Sequence, residues 1–249
     1  STNPTSANAA SPSICLGGNT NISVSGGFLG TGASWKWYLG GCGNGQSIGT
    51  GATINVNPTQ TTTFYVRAEG DCGTTNCASV QVVVNPPSVG GVLAENRTIC
   101  SGSNSGLLSL TGNTGTVQRW ESSTTSAVAG FSSISNTAGL TSFTSGALTQ
   151  DTWFRVVVKS GVCAEANSNA IKITVQQPIS NNTIAADQTI CSGYAPNSLT
   201  GSTPSGGSGS YSYQWKWKTT GSFTNISAAT NKDYAPGSLI QTAYFQRIV

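Results

Sequence analysis

The chain has 249 residues, enough for one large domain or two to three small ones. Charged residues make up 8% and the net charge is +3 with no basic run, against roughly 25% charged in ordinary soluble domains; this balance excludes a nucleic-acid footprint. There is no histidine, which excludes a Ser-His-Asp triad, a Cys-His pair and a histidine metal site, and no apolar stretch is long enough for a membrane-spanning helix.

Along the chain one phrase recurs, Ile-Cys-x-Gly. Its copies are Ile14-Cys15-Leu16-Gly17, Ile99-Cys100-Ser101-Gly102 and Ile190-Cys191-Ser192-Gly193, with cysteines 85 and 91 residues apart. Each copy leads the same series of events. A short apolar run follows (Ile22 and Val24; Leu107, Leu108 and Leu110; Leu199). Next comes a tryptophan segment: Trp35-Lys36-Trp37, Gln118-Arg119-Trp120 and Trp215-Lys216-Trp217. Last is a Thr-aromatic run starting at Thr63, Thr152 and Thr242. Self-similarity at a long period marks tandem units of one design.

The first unit spans residues 1–86. Strands are expected at 21–25, 34–39, 53–56, 62–68 and 78–84, with an irregular strand before residue 13, a glycine-rich turn at 26–32 and a turn at 70–76. Short β-rich runs punctuated by turn residues, without helical periodicity, point to an all-β sandwich. Asn85-Pro86-Pro87 is a stiff, donor-poor linker. The second unit spans 87–177 and the third 178–249. Aligning Trp153 with Tyr244 puts the counterpart of Cys163 beyond Val249. The third sandwich is therefore expected to be truncated, without its last strand, and the chain to be a segment of a longer protein.

Trp37, Trp120 and Trp217 align as the core tryptophan of each sandwich's third strand. In the first and third units a second tryptophan two positions earlier shares the face, so Trp35 and Trp215 are equal candidates. Tyr211, Tyr213, Trp215 and Trp217 fall on one face by the period of two. This row reads as core filling, with a sugar-stacking platform of Tyr211, Tyr213 and Trp217 as the sharper alternative. Lys36, Arg119 and Lys216 take the opposite, solvent face. Glu69 and Asp71 share a face and are read as solvated residues near a turn rather than an acid–base pair. No catalytic residue, cofactor site or metal site is expected.

Seven cysteines, several at matched positions, indicate disulfides and an oxidising, extracellular setting. The candidates are Cys15, Cys42, Cys72, Cys77, Cys100 and Cys163. Cys72 and Cys163 are equivalent, each twelve positions before a matched valine, Val84 and Val175. Cys42 and Cys77 meet Thr125 and Ser168 in the second unit, so both are missing there together. Parity gives Cys15–Cys72, Cys42–Cys77 and Cys100–Cys163, with Cys191 left over. Strand direction in an immunoglobulin topology gives instead Cys15–Cys42 and Cys72–Cys77. That leaves Cys100 and Cys163 unpaired or bonded to adjoining units, and sequence does not choose.

The segments Trp35-Lys36-Trp37-Tyr38, the run 61–72 (TTTFYVRAEGDC), Asn76-Cys77-Ala78-Ser79 and Thr98-Ile99-Cys100-Ser101-Gly102 carry a family likeness. The chain resembles the tandem immunoglobulin-like repeats of long secreted surface proteins of Bacteroidetes, gliding-motility adhesins among them. The resemblance implies three tandem immunoglobulin-like sandwiches in an extracellular protein exported by the type IX system. It also implies a non-catalytic stalk or adhesive segment, with adjoining repeats and surface polysaccharide as partners and neither nucleic acid nor membrane insertion. The alternative reading is spacer or carbohydrate-binding modules of a secreted polysaccharide-degrading enzyme.

Overall fold

The computed structural model describes residues 1–249 and is all-β, with no helix. The first repeat contributes β1 (Ser6–Ala9), β2 (Ser13–Cys15), β3 (Thr20–Ser25), β4 (Ser34–Leu39), β5 (Gln46–Thr50), β6 (Thr53–Val56), β7 (Thr62–Gly70), β8 (Gly73–Thr74) and β9 (Ala78–Asn85). The second contributes β10 (Val92–Leu93), β11 (Arg97–Cys100), β12 (Leu108–Thr111), β13 (Thr116–Ser123), β14 (Ser132–Ile134), β15 (Ser142–Phe143), β16 (Thr152–Lys159), β17 (Ala166–Asn167) and β18 (Ile171–Gln176). The third contributes β19 (Gln214–Lys218), β20 (Thr224–Asn225) and β21 (Tyr244–Ile248).

Two sheets recur. In the first repeat β1-β3-β6 forms one sheet and β2-β9-β7-β4-β5 the other, with β8 on β7. In the second, β10-β12-β15 forms one sheet and β11-β18-β16-β13-β14 the other, with β17 on β16. The third is smaller: the sheet β20-β19-β21, and the isolated bridges Ser180↔Ser205, Ile184↔Gly201, Tyr194↔Leu239 and Leu199↔Tyr234. By packing, the chain forms two compact units, and the division runs through the second repeat. Residues 1–95, 107–144 and 153–172 make the first; 96–106, 145–152 and 173–249 make the second. Strand β18 begins in the first and ends in the second.

Alternation decides which face each strand buries. In β7, Phe64, Val66 and Ala68 point inward, and in β4, Trp35 and Trp37 do. With Ile14, Ile22, Val56 and Val82 they form the first core. In β16, Phe154, Val156 and Val158 take the same places, and Trp120 in β13 stands opposite Val156 in the antiparallel ladder. Burying side chains of this size stabilises by about 1.5–3 kcal/mol each. Strand β5, absent from the sequence expectation, is carried by antiparallel pairing with β4. Its glycine and polar residues give no apolar alternation to read.

Candidate functional site

Strand β2 runs parallel to the end of β9, with Cys15 opposite Asn85. This puts Cys15 at the linker end of the first repeat. Strand β7 runs antiparallel to β9, so the hairpin that carries Cys72, between β7 and β8, lies at the other end. Cys15 is bonded to Cys163, with Cα atoms 5.0 Å apart, and not to Cys72 or Cys42. The Cys163 sulfur rests 3.3 Å from the carbonyl oxygen of Pro86, in the linker itself. The first two repeats are thus joined twice, by the chain and by a disulfide. Neither Cys15–Cys72 nor Cys100–Cys163 forms; Cys72, Cys100 and Cys191 are exposed thiols.

The other bond is Cys42–Cys77, with Cα atoms 5.9 Å apart. It ties the β4–β5 loop to the segment entering β9. The corresponding loop of the second repeat carries Thr125 and is held by one buried hydroxyl. Ser123 Oγ donates to Ala129 O at 2.6 Å and accepts from Thr125 N at 3.0 Å. Ser168, at the Cys77 position, accepts from Val156 N at 2.9 Å.

The buried tryptophans are Trp35, Trp37, Trp120 and Trp215. One per repeat donates its indole N–H to a loop carbonyl: Trp37 to Gly51, Trp120 to Leu140 and Trp215 to Asn231, at 3.0, 2.8 and 3.0 Å. Trp215 is therefore the third repeat's counterpart of Trp37 and Trp120. It packs on Leu199 and Ala229 with Tyr234 and Phe245 beside it. Trp217 lies past that cluster and is 40% exposed. Tyr211 and Tyr213 precede β19, so the four aromatics do not form one row. The Tyr211 hydroxyl donates to Gly206 O at 2.8 Å, and Tyr213 carries the Arg247 guanidinium 5.0 Å from its ring centre.

Arg247 stands opposite Trp215, where the first two repeats place Val66 and Val156 opposite their tryptophans. It is 4% exposed and has no carboxylate partner among its contacts. Its guanidinium donates to Asn182 Oδ1 at 2.8 and 2.9 Å, Lys232 O at 3.0 Å and Ser202 O at 2.9 Å. Gly201 leaves the room: a Cβ there would lie 1.6 Å from Nη1.

The solvent faces of the larger sheets carry ion clusters. Lys36 and Arg67 are cross-strand neighbours, a like-charge pair that would repel. Glu69, two positions beyond Arg67 and so on the same face, lies 2.7 Å from Arg67 and 3.3 Å from Lys36, and accepts the Tyr38 hydroxyl. Hydrogen bonding from Tyr38, then from Arg67 and Lys36, holds its carboxyl below the ordinary value although burial opposes this. In the second repeat Glu121 takes Arg119 on one oxygen at 2.8 Å and Arg155 on the other at 2.7 Å; Arg119 also reaches Glu165 at 3.1 Å. Burial is the largest influence on Glu121 and pushes its pKa up, but the two arginines outweigh it and the net shift is downward. Glu69 is thus an ion-paired residue rather than a solvated one, and Asp71 is exposed beyond it. Spacing alone pairs Arg67 with Glu69; Lys36 and Tyr38 join only once β4 and β7 are in register. No three metal-ligating side chains are gathered anywhere.

Residues 89–177 and 180–249 each match a family described as a domain of unknown function, DUF8696. The chain belongs to that family. Residues 2–86 match the Ig-like domain described as CHU_C associated, a domain of Bacteroidetes surface proteins. Among curated proteins none matches. Of solved structures, a three-Ig segment of titin (domains I67–I69, an E-to-A variant) is similar at 13% identity with a TM-score of 0.53, over 95% of this chain and 98% of that one. Murine CEACAM1b is similar at 14% identity and a TM-score of 0.44, over 68% of this chain and 98% of that one. The titin likeness shows the fold: tandem Ig-like sandwiches, the third smaller. Only Ig-like repeat domains are found, with no catalytic domain. The CHU_C-associated match and the disulfides are features of a secreted or surface protein.

Proposed function

We infer that the chain is a non-catalytic stalk or adhesive segment of a secreted cell-surface repeat protein, working in surface adhesion or gliding and exported by the type IX route. The supporting observation is the junction between the first two repeats. A short proline linker and the Cys15–Cys163 bond together restrict the hinge that a linker alone would leave. Small-angle scattering on the intact chain is expected to give an elongated particle, and a compact globule would overturn the stalk. Antibody to residues 1–86 is expected to mark thin fibres on intact source cells; label confined to the medium would favour spacer modules of a secreted enzyme.

One observation supports that second reading. Trp217 is a large aromatic left 40% exposed at the end of the third sheet, the kind of ring on which a sugar stacks. Binding on a glycan array that disappears in Trp217→Ala, with the fold intact, is its expected signature, and a blank array removes it.

A further inference from the structure

The Cys15–Cys163 bond joins two positions that recur along the chain. Cys15 stands opposite Asn85 in the parallel β2–β9 ladder, and Leu16 N donates to Asn85 O at 2.9 Å. In the second repeat Cys100 stands opposite Gln176 in the parallel β11–β18 ladder, and Ser101 N donates to Gln176 O at 2.9 Å. The turn after each of the three heads is the same. Gly18 N donates to Cys15 O, Ser103 N to Cys100 O and Tyr194 N to Cys191 O, at 2.8, 3.1 and 3.2 Å. Gly17, Gly102 and Gly193 hold it at φ of 85°, 88° and 88°, a conformation that favours glycine. Sixteen positions separate Val84 from Cys100, and sixteen separate Val175 from Cys191. Cys100 therefore sits at the start of the second linker as Cys15 sits at the start of the first.

The other half recurs too. Cys163 lies in the turn between β16 and β17, and Cys72 in the turn between β7 and β8; each follows a glycine by two positions, Gly161 and Gly70. The Cys72 hairpin lies at the end of the first sandwich where Asn76 N meets Asn3 Oδ1 at 3.0 Å, the end near which the chain enters the repeat. Its thiol is exposed.

We propose that Cys15–Cys163 is one rung of a ladder of inter-repeat disulfides, in which the head cysteine of each Ile-Cys-x-Gly repeat bonds the hairpin cysteine of the repeat after it. Cys72 is the hairpin half of such a rung and takes the head thiol of another Ig-like repeat of this design. Cys100 and Cys191 are head halves. Closing a rung joins the two sulfurs, releases two protons and passes two electrons to a low-molecular-weight disulfide. That disulfide is cleaved to two thiols through a mixed-disulfide intermediate. Between two copies of this chain the matching halves are Cys191 of one and Cys72 of the next. The inference rests on the cysteine positions and not on the adhesive role; a compact particle in scattering would sink the stalk and leave it standing.

The test is oxidation of the intact chain by glutathione disulfide, isolation of covalent dimers and quantification of cross-linked peptides by mass spectrometry. Two head thiols and one hairpin thiol of equal reactivity would give head–head and head–hairpin links in equal amounts. The ladder requires head–hairpin links, Cys191–Cys72 foremost, in roughly tenfold or greater excess over head–head and Cys72–Cys72 links. Cys72→Ser, exposed and outside both disulfides, should then reduce dimer yield by about the same factor. Equal amounts of the two classes, dimers that survive Cys72→Ser, or glutathione adducts without a protein–protein bond would each overturn the proposal.

Discussion

Trp215 and Trp217 sit two residues apart on one strand and share a face, yet one is the third core and the other half faces water. What separates them is cover: Leu199, Ala229 and Tyr234 lie over Trp215. Trp215→Ala is expected to lower the third repeat's stability by about 3–5 kcal/mol, and Trp217→Ala by about 1 kcal/mol or less, as measured by urea unfolding followed by far-ultraviolet circular dichroism. The sequence leaves these two residues equal because period-two patterning assigns faces and not positions along a face. Arg247 was equally illegible. It occupies the place of Val66 and Val156, and only the carbonyls of Lys232 and Ser202 and the amide of Asn182, brought from distant loops, make an arginine tolerable there. Gly201→Ala should unseat that guanidinium and cost about 2 kcal/mol or more, whereas Gly237→Ala, whose Cβ would meet nothing within 4 Å, should be near neutral.

Titration also belongs to single residues. Glu69 and Glu121 have folded pKa values below the ordinary 4.5. Their stabilising effect is complete above the unfolded value and disappears as pH falls from there through the depressed folded value. Unfolding midpoints should therefore be flat from neutral pH to about pH 5 and drop below about pH 4. In Glu121→Gln the neutral-pH stability should fall by about 2 kcal/mol, with a shallower acid slope. An unchanged acid slope would show that Glu121 is not a source of it.

At the scale of elements, two loops in equivalent places are held by different chemistry. Cys42–Cys77 closes a 35-residue separation and is expected to contribute about 4 kcal/mol by the chain-entropy estimate. Its counterpart depends on the Ser123 hydroxyl. Ser123→Ala should cost about 1–3 kcal/mol, since it strips the partners of Ala129 O and Thr125 N. Hydrogen exchange is the measurement: removing either hold should speed exchange in its own loop and leave the other repeat unaffected. The strands themselves were largely readable. Trp35-Lys36-Trp37 and Thr63-Phe64-Tyr65-Val66 alternate as half-buried strands do, and they are the centre of the larger sheet. The pairing of cysteines was legible only in part: parity names Cys42–Cys77, which forms, but not Cys15–Cys163. Alternation and parity describe one repeat at a time, whereas Cys15 finds its partner in the next repeat, through a parallel strand that carries it to the linker.

At the scale of the whole molecule, one disulfide changes what the linker Asn85-Pro86-Pro87 must do. The cysteines it joins are separated by 148 residues in sequence, yet their Cα atoms are 5.0 Å apart. A tensile load entering ahead of Cys15 and leaving beyond Cys163 is carried across the junction by the sulfur–sulfur bond. The peptide between them is out of the load path. Were every strand in that stretch to come apart under tension, roughly 500 Å of chain would stay hidden at about 3.4 Å per residue. A reductant would convert this inextensible tie into slack.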